Sequence, residues 1–200
     1  MAGGKGSRLG WVEKGLIELG GTTILQRELV ALKESDCMSD TYVAVTEYTP
    51  KTQHFAQTKG LKVVKTPGRG YVEDSREALK KLSLGVTLIL CSDTPFLTGE
   101  LVKKTVTEYY DKGKPSLSLA ILKSSVLHHE SKALDHSFFE NGLQVLPAGI
   151  NIIDGRVVSG NQMVDQAILV VNEPLVLLNV NTPGELELAQ NLADAERSEK

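Results

Sequence analysis

The chain has 200 residues, 41% of them hydrophobic and 24% charged, and a net charge of −3. That size fits a single domain burying roughly 70% of its unfolded surface, and the slight acidity excludes a phosphate-tracking nucleic-acid surface. No apolar run approaches the ~18 residues of a membrane span, no export signal is visible, and two distant cysteines, Cys37 and Cys91, suit a reducing cytoplasm better than a disulfide framework or a zinc site.

Seven of the 18 glycines fall within the first 21 residues. They shape the opening Ala2-Gly3-Gly4-Lys5-Gly6-Ser7-Arg8-Leu9-Gly10, with Lys14 soon after. A Walker loop is excluded because Gly4-Lys5 is followed by Gly6, and a dinucleotide fingerprint because Leu9 stands where its third glycine belongs. What remains is a run of N–H groups unobstructed by side chains, a nest for phosphate oxygens with Arg8 and Lys14 on either side. The alternative is a mobile glycine-rich terminus.

Leu16 to Leu19 reads as a short strand closed by Gly20-Gly21. Thr23 and Gln26 form a capping box for a helix with Leu25, Leu29 and Leu32 on one face. Thr41 to Thr46 and Lys62 to Lys65 read as strands. Asp74-x-x-Glu77 caps a helix that buries Ala78, Leu79 and Leu82, and Val86 to Cys91 has the apolar run of a buried parallel strand. A helix with Val102, Val106 and Tyr109 on one face follows, then strands at Ser116 to Leu122, Ile150 to Ile153, Ile168 to Val171 and Val176 to Asn179. Thr182-Pro183-Gly184-Glu185 opens the last helix. Residues 123–145 have the weakest periodicity and read as an excursion over the sheet. The alternation implies an α/β class: one domain over residues 1–200, with a mostly parallel sheet and helices on both faces.

Asp93, in Ser92-Asp93-Thr94-Pro95, sits at the carboxyl end of the apolar strand, where ligands bind in open α/β sheets. A lone carboxylate there suits Mg²⁺, which takes one or two protein carboxylates plus phosphate oxygens; a plain turn is the alternative. Asn179-Val180-Asn181-Thr182-Pro183, read alone, is a strand end with a helix cap. His128, His129, Glu130, Asp135 and His136 match no standard zinc spacing. Cys91 reads as strand packing.

Gly-Gly-x-Gly-x-Arg-x-Gly followed by a lysine resembles the signature of nucleotidyltransferases that couple a nucleoside triphosphate to a small phosphorylated acceptor. That family includes the sugar-phosphate nucleotidyltransferases and the molybdenum-cofactor guanylyltransferases. The opening Met-Ala-Gly-Gly-Lys-Gly, Val12-Glu13-Lys14, Gly68 to Asp74, Asn141-Gly142-Leu143 and Leu146 to Asn151 are similar to the archaeal GTP:adenosylcobinamide-phosphate guanylyltransferases. The likeness covers nearly the whole chain and is weakest over residues 104–137.

The resemblance implies a Rossmann-like nucleotidyltransferase fold, with Ala2, Gly3, Gly4, Lys5, Gly6, Ser7, Arg8 and Lys14 around the triphosphate. It makes Arg8, Lys14 and Asp93 catalytic, Asp93 a Mg²⁺ ligand, and Asn181 an auxiliary metal or phosphate contact. Gly70 can bring its loop against a flat base, and Glu73 or Asp74 can accept from guanine N1–H and N2–H₂, or simply stabilise a helix N-terminus. Pro147, Ala148, Gly149 and Asn151 fall on the acceptor side. The implied partners are GTP and a phosphorylated corrinoid, with no nucleic acid and no membrane span. A homodimer is left open. Molybdopterin or another phosphorylated acceptor, and a non-catalytic nucleotide-binding domain, are the alternatives. The family also places a short apolar strand directly before the glycine-rich loop, so Met1 is expected to be internal to a slightly longer protein.

Overall fold

Two periodicities alternate along the chain, and a computed structural model, which describes residues 1–126, 132–158 and 163–198, turns them into strands and helices. A two-residue hairpin pairs β1 (Glu18–Leu19) with β2 (Thr22–Thr23). The capping box then starts α1 (Ile24–Glu34): the Thr23 hydroxyl accepts from Gln26 N–H and Gln26 Oε1 accepts from Thr23 N–H, both at 3.2 Å. β3 (Tyr42–Val45), α2 (Pro50–Thr58) and β4 (Lys62–Lys65) form a parallel unit. After them come α3 (Tyr71–Lys81), β5 (Val86–Leu90), α4 (Gly99–Lys112) and β6 (Ser116–Leu122). β7 (Phe138–Glu140), β8 (Leu143–Asp154), β9 (Gln166–Val171) and α5 (Pro183–Ser198) complete the chain.

The larger sheet has the order β5-β8-β6-β9, with β7 paired to β8. Its inner face carries Leu117, Leu119, Ile121, Leu146, Ile150 and Ile152, packed with Leu101 and Val102 of α4 and Ala31 of α1. Each such aliphatic side chain contributes about 1.5–3 kcal/mol by leaving water. On the smaller sheet Leu25 of α1 and Ala56 of α2 pack with Val43 and Val45, while Ala78 of α3 packs with Ala44 and Val64. Successive strand residues point to opposite faces, so helices cover both, as the alternation implied.

Four details depart from the sequence reading. The sheet is mixed, because β8 runs antiparallel to both β5 and β6. Asn141 and Gly142, both at positive φ, make the tight turn that sends the chain from β7 straight back into β8. Part of the supposed excursion is therefore a hairpin, and the strand expected at Ile150 to Ile153 has 12 residues. Val176 to Asn179 is not a strand: Pro174 opens a 3₁₀ turn, Pro174–Leu177, in which Val176 N–H bonds back to Glu173 O at 3.1 Å. Helix α3 starts at Tyr71, so Asp74 lies inside its first turn rather than ahead of it.

Among the described residues β3 and β5 exchange no ladder bonds, and the two sheets meet only through Met1 and Ala2. The Met1 amino group donates to Leu90 O at 2.5 Å, Met1 O accepts from Ser92 N–H at 3.0 Å, and Ala2 N–H donates to Ala44 O at 2.8 Å. This is the bonding of a strand parallel to both neighbours, and it anchors the loop that begins at Gly3. Beside it lies a cavity of about 320 Å³ lined by Tyr42, Val43, Val86, Leu88 and Ile152 among others. A chain lengthened by four or five alternating apolar residues ahead of Met1 is expected to fill this slot as a strand. Its thermal midpoint should rise by several degrees, at roughly 2–4 °C per kcal/mol for a chain this long; an unchanged midpoint in a melting scan contradicts that reading of the cavity.

Candidate active site

The glycine-rich loop is shaped by contacts that leave no room for side chains. Gly3 O accepts from the Thr46 hydroxyl at 2.8 Å, and a Cβ on Gly3 would stand 2.4 Å from Thr46 Cγ2. Gly6 has φ +57°, and its Cβ would meet Val12 O at 1.9 Å. Gly6 O accepts from the N–H groups of Leu9 and Trp11, both at 3.0 Å, closing a one-turn helix at Ser7–Leu9. Among the described residues the N–H groups of Gly4, Lys5 and Gly6 have no acceptor, as an anion-binding nest requires. Downstream, the Glu13 carboxylate accepts from Lys51 N–H at 3.0 Å and Thr52 N–H at 2.6 Å. It caps α2, whose own cap Thr49 supplies no side-chain bond, and so fixes the backbone next to Lys14.

Lys14 is where three distant segments meet. Its ammonium donates to Asp93 Oδ2 at 3.0 Å and also to Asn181 Oδ1. The side chains of Lys14 and Asp93 are 21% and 14% exposed, so the pair is less screened than a surface ion pair. Val180 N–H bonds to Asp93 O at 3.1 Å, holding the last segment beside the strand end. Glu185 Oε2 accepts from Asn181 N–H at 3.0 Å and from the Thr182 hydroxyl at 3.1 Å, while Glu185 N–H bonds to the Thr182 hydroxyl at 3.3 Å. The expected cap of α5 therefore also aims Asn181.

Asp93 Oδ1 is buried and, among the described residues, has no hydrogen-bond partner, and the same holds for Ser92 Oγ beside it. The orphaned Asp93 oxygen and the Asn181 amide oxygen mark a position for positive charge, part of which the Lys14 ammonium supplies. The set suits Mg²⁺, a hard cation that completes its shell with phosphate oxygens and water. Among the described residues no three His, Cys, Asp or Glu side chains group to hold a metal by themselves. Asp135 and His136 lie on a one-turn helix at Lys132–His136; His128, His129 and Glu130 fall outside the described residues.

A cleft of about 320 Å³ brings the loop and this cluster together. Its lining includes Ala2, Gly3, Gly4, Lys5, Lys14, Asp93, Gly70 and Asp74 from the sequence reading, with Gly15, Tyr48, Gly68, Tyr71 and Cys91 in addition. Lys5 lies over the Tyr48 ring at 4.3 Å. Gly68, at φ +73°, passes so close that a Cβ would be 2.8 Å from Tyr48 Cε2. Asp74 is buried, and its Oδ1 braces the loop by accepting from Gly68 N–H at 2.9 Å and Arg69 N–H at 3.2 Å. Glu73, Ser7 and Arg8 are exposed and do not line the cleft, and Asn181 borders it only through Lys14.

The four acceptor-side residues divide by strand alternation. Pro147 is exposed, Ala148 points into the core, Gly149 sits in a bulge of β8 against Cys91, and Asn151 reaches Tyr71. Burial and the nearby Asp93 charge push the Cys91 thiol up to about 12, so it stays protonated and is no nucleophile.

Under the Asp93 turn lies Glu28, whose Oε1 accepts from Thr94 N–H at 3.1 Å and the Thr94 hydroxyl at 3.0 Å. The helix pattern gave a signal, since Glu28 falls three residues after Leu25 on the apolar stripe. Burial raises its carboxyl from 4.5 to about 7. The folded chain therefore holds this proton more tightly than the unfolded one, and stability falls as pH rises from 4.5 to about 7, then levels off. Glu28→Gln keeps the Oε1 acceptor without the charge. At pH 8 it should be more stable than the parent by up to about 3 kcal/mol, with the difference vanishing near pH 4.5; equal denaturation midpoints at both pH values contradict this.

Free loop amides and the Lys14–Asp93–Asn181 cluster lie at the carboxyl end of β5, where open α/β sheets bind their ligands. A family model, the MobA-like NTP transferase domain, matches residues 1–133. The chain belongs to that family and is a nucleotidyltransferase. The adenosylcobinamide-phosphate guanylyltransferase of Methanocaldococcus jannaschii is 32% identical to it over 197 residues, 96% of this chain and 94% of the relative. Two solved structures share the fold. The CMP:2-keto-3-deoxy-manno-octonic acid synthetase complexed with CTP has a TM-score of 0.64 at 15% identity, covering 92% of both chains. The 4-diphosphocytidyl-2C-methyl-D-erythritol synthase of Anaerococcus prevotii has a TM-score of 0.64 at 13% identity, covering 96% of this chain and 92% of its own.

Proposed function

We propose that the chain transfers GMP from GTP to adenosylcobinamide phosphate, giving adenosylcobinamide-GDP and pyrophosphate in cobalamin assembly. The meeting of Lys14, Asp93 and Asn181 opposite the free amides of Gly4 to Gly6 carries the chemistry. The near full-length relationship to the Methanocaldococcus jannaschii enzyme supports guanylyl transfer to this acceptor.

The acceptor phosphate has a second pKa of about 6 and is largely dianionic at neutral pH, so it attacks without a general base. One of its oxygens bonds to the α-phosphorus of GTP while the α-phosphorus–oxygen bond to the β-phosphate breaks, and pyrophosphate leaves with that electron pair. Two anions must be brought together, so catalysis rests on positioning and charge compensation. The amides of Gly4, Lys5 and Gly6 hold phosphate oxygens. Lys14 offsets the charge at the α-phosphate, and Arg8, exposed beside the loop, is the cation for the outer phosphates. Mg²⁺ on Asp93 and Asn181 would supply further charge neutralisation when bound. Asp74 keeps the Gly68–Gly70 loop in shape and has Oδ2 left to accept from guanine.

Pyrophosphate release from GTP, Mg²⁺ and adenosylcobinamide phosphate tests the reading. Asp93→Ala and Lys14→Ala are each expected to lower kcat/KM by roughly a thousandfold, in the range typical of lost transition-state charge stabilisation; near-normal turnover in either removes that residue from the mechanism. Asp74→Asn should reduce the preference for GTP over ATP by about tenfold or more. An unchanged ratio means that Asp74 only braces the loop.

A further inference from the structure

A directional chain of hydrogen bonds crosses the larger sheet and ends at the cleft. Gln166 Nε2 on β9 donates to the Ser118 hydroxyl on β6 at 2.5 Å. The Ser118 hydroxyl donates to Asn151 Oδ1 on β8, and Asn151 Nδ2 donates to the Tyr71 hydroxyl at 2.6 Å. Ser118 has one proton, and using it on Asn151 Oδ1 turns the amide nitrogen toward Tyr71. Tyr71 thus receives a hydrogen bond, and among the described residues its own proton has no acceptor. The ring lines the cleft, at the first residue of α3.

We propose that Tyr71 donates this proton to an oxygen of the acceptor's phosphate, with Asn151 as the positioning residue that sets the direction. This rests on the transfer reaction proposed above. The loop amides and Lys14 serve the triphosphate. The relay reaches the same cleft over a sheet face where Pro147, Asn151, Gln166 and Ile168 are exposed or half-buried while Ala148, Ile150 and Ile152 face the core. A body too large for the cleft can lie on that face with only its phosphate inside. A dianionic phosphate needs donors, and a phenol, which keeps its proton at neutral pH, is one.

The test compares the parent chain with Tyr71→Phe and Asn151→Asp in pyrophosphate-release assays. A carboxylate at 151 still accepts from Ser118 but has no N–H to give, so it takes the Tyr71 proton for itself. Both variants are expected to raise the KM for adenosylcobinamide phosphate by about tenfold or more, leaving the KM for GTP within about twofold and the thermal midpoint unchanged. An unchanged acceptor KM in Tyr71→Phe, or a rise in the KM for GTP instead, overturns the proposal, as does Asn151→Asp behaving like the parent. Titration of the GTP-loaded protein with propyl phosphate keeps the two readings separate. If the parent fails to turn over the corrinoid, the acceptor assignment falls. Weaker propyl phosphate binding in Tyr71→Phe then still supports the phosphate-donor role, and equal binding refutes it.

Discussion

A single ammonium group holds the site together. Lys14 reaches Asp93, 79 residues away, and Asn181, 167 residues away, and its ammonium hydrogen-bonds both. Each partner comes from a different element: the glycine-rich loop, the end of β5, and the start of α5. Local interactions bring each one to the meeting point. Glu13 caps α2 and sets the backbone next to Lys14, Glu28 holds Thr94 beside Asp93, and Glu185 holds Asn181 by its backbone. Three buried or half-buried acids thus act on the backbone around the site while leaving its polar atoms for a ligand. A charged cluster of this kind is costly to bury. Its orphaned Asp93 oxygen and unpaired loop amides are features that a ligand, rather than the fold, satisfies.

The same economy appears in the backbone. Met1 and Ala2 are strand-paired to both β3 and β5, and the chain turns from that pairing directly into Gly3. The loop therefore starts from the middle of the sheet, and Gly3 and Gly6 are required by the atoms that crowd them. The bulge at Gly149 brings β8 against Cys91 just before Asn151 enters its hydrogen-bond relay.

Much of this was legible in residue order because its causes are local. The glycine spacing of the loop, an aspartate after an apolar strand, and an asparagine before a helix cap are each short-range patterns. The glycine run by itself pointed to a phosphate nest and Asp93 to a metal ligand, whereas the role of Asn181 came from the resemblance to nucleotidyltransferases. The direction of β8 was not legible as a central strand's orientation, since it is set by the Asn141-Gly142 turn within the segment of weakest periodicity. Pro174 overrode the β-rich residues after it. Asp74 was read as a helix cap, but its carboxylate turns back to brace the preceding loop, a contact that depends on where α3 begins. Tyr48 gave no periodic signal, and Tyr71 stood in the Gly68 to Asp74 string without a role; the cleft lining supplies both. Glu28 was visible in principle, as an acid on an apolar helix stripe.

The proposed reaction moves the α-phosphorus of GTP onto a phosphorylated corrinoid. Its most direct measurement follows the label of [α-³²P]GTP incubated with the protein, Mg²⁺ and adenosylcobinamide phosphate. Label is expected in a new corrinoid product and none in the released pyrophosphate. Label remaining in GTP, or appearing only as free GMP, would contradict it.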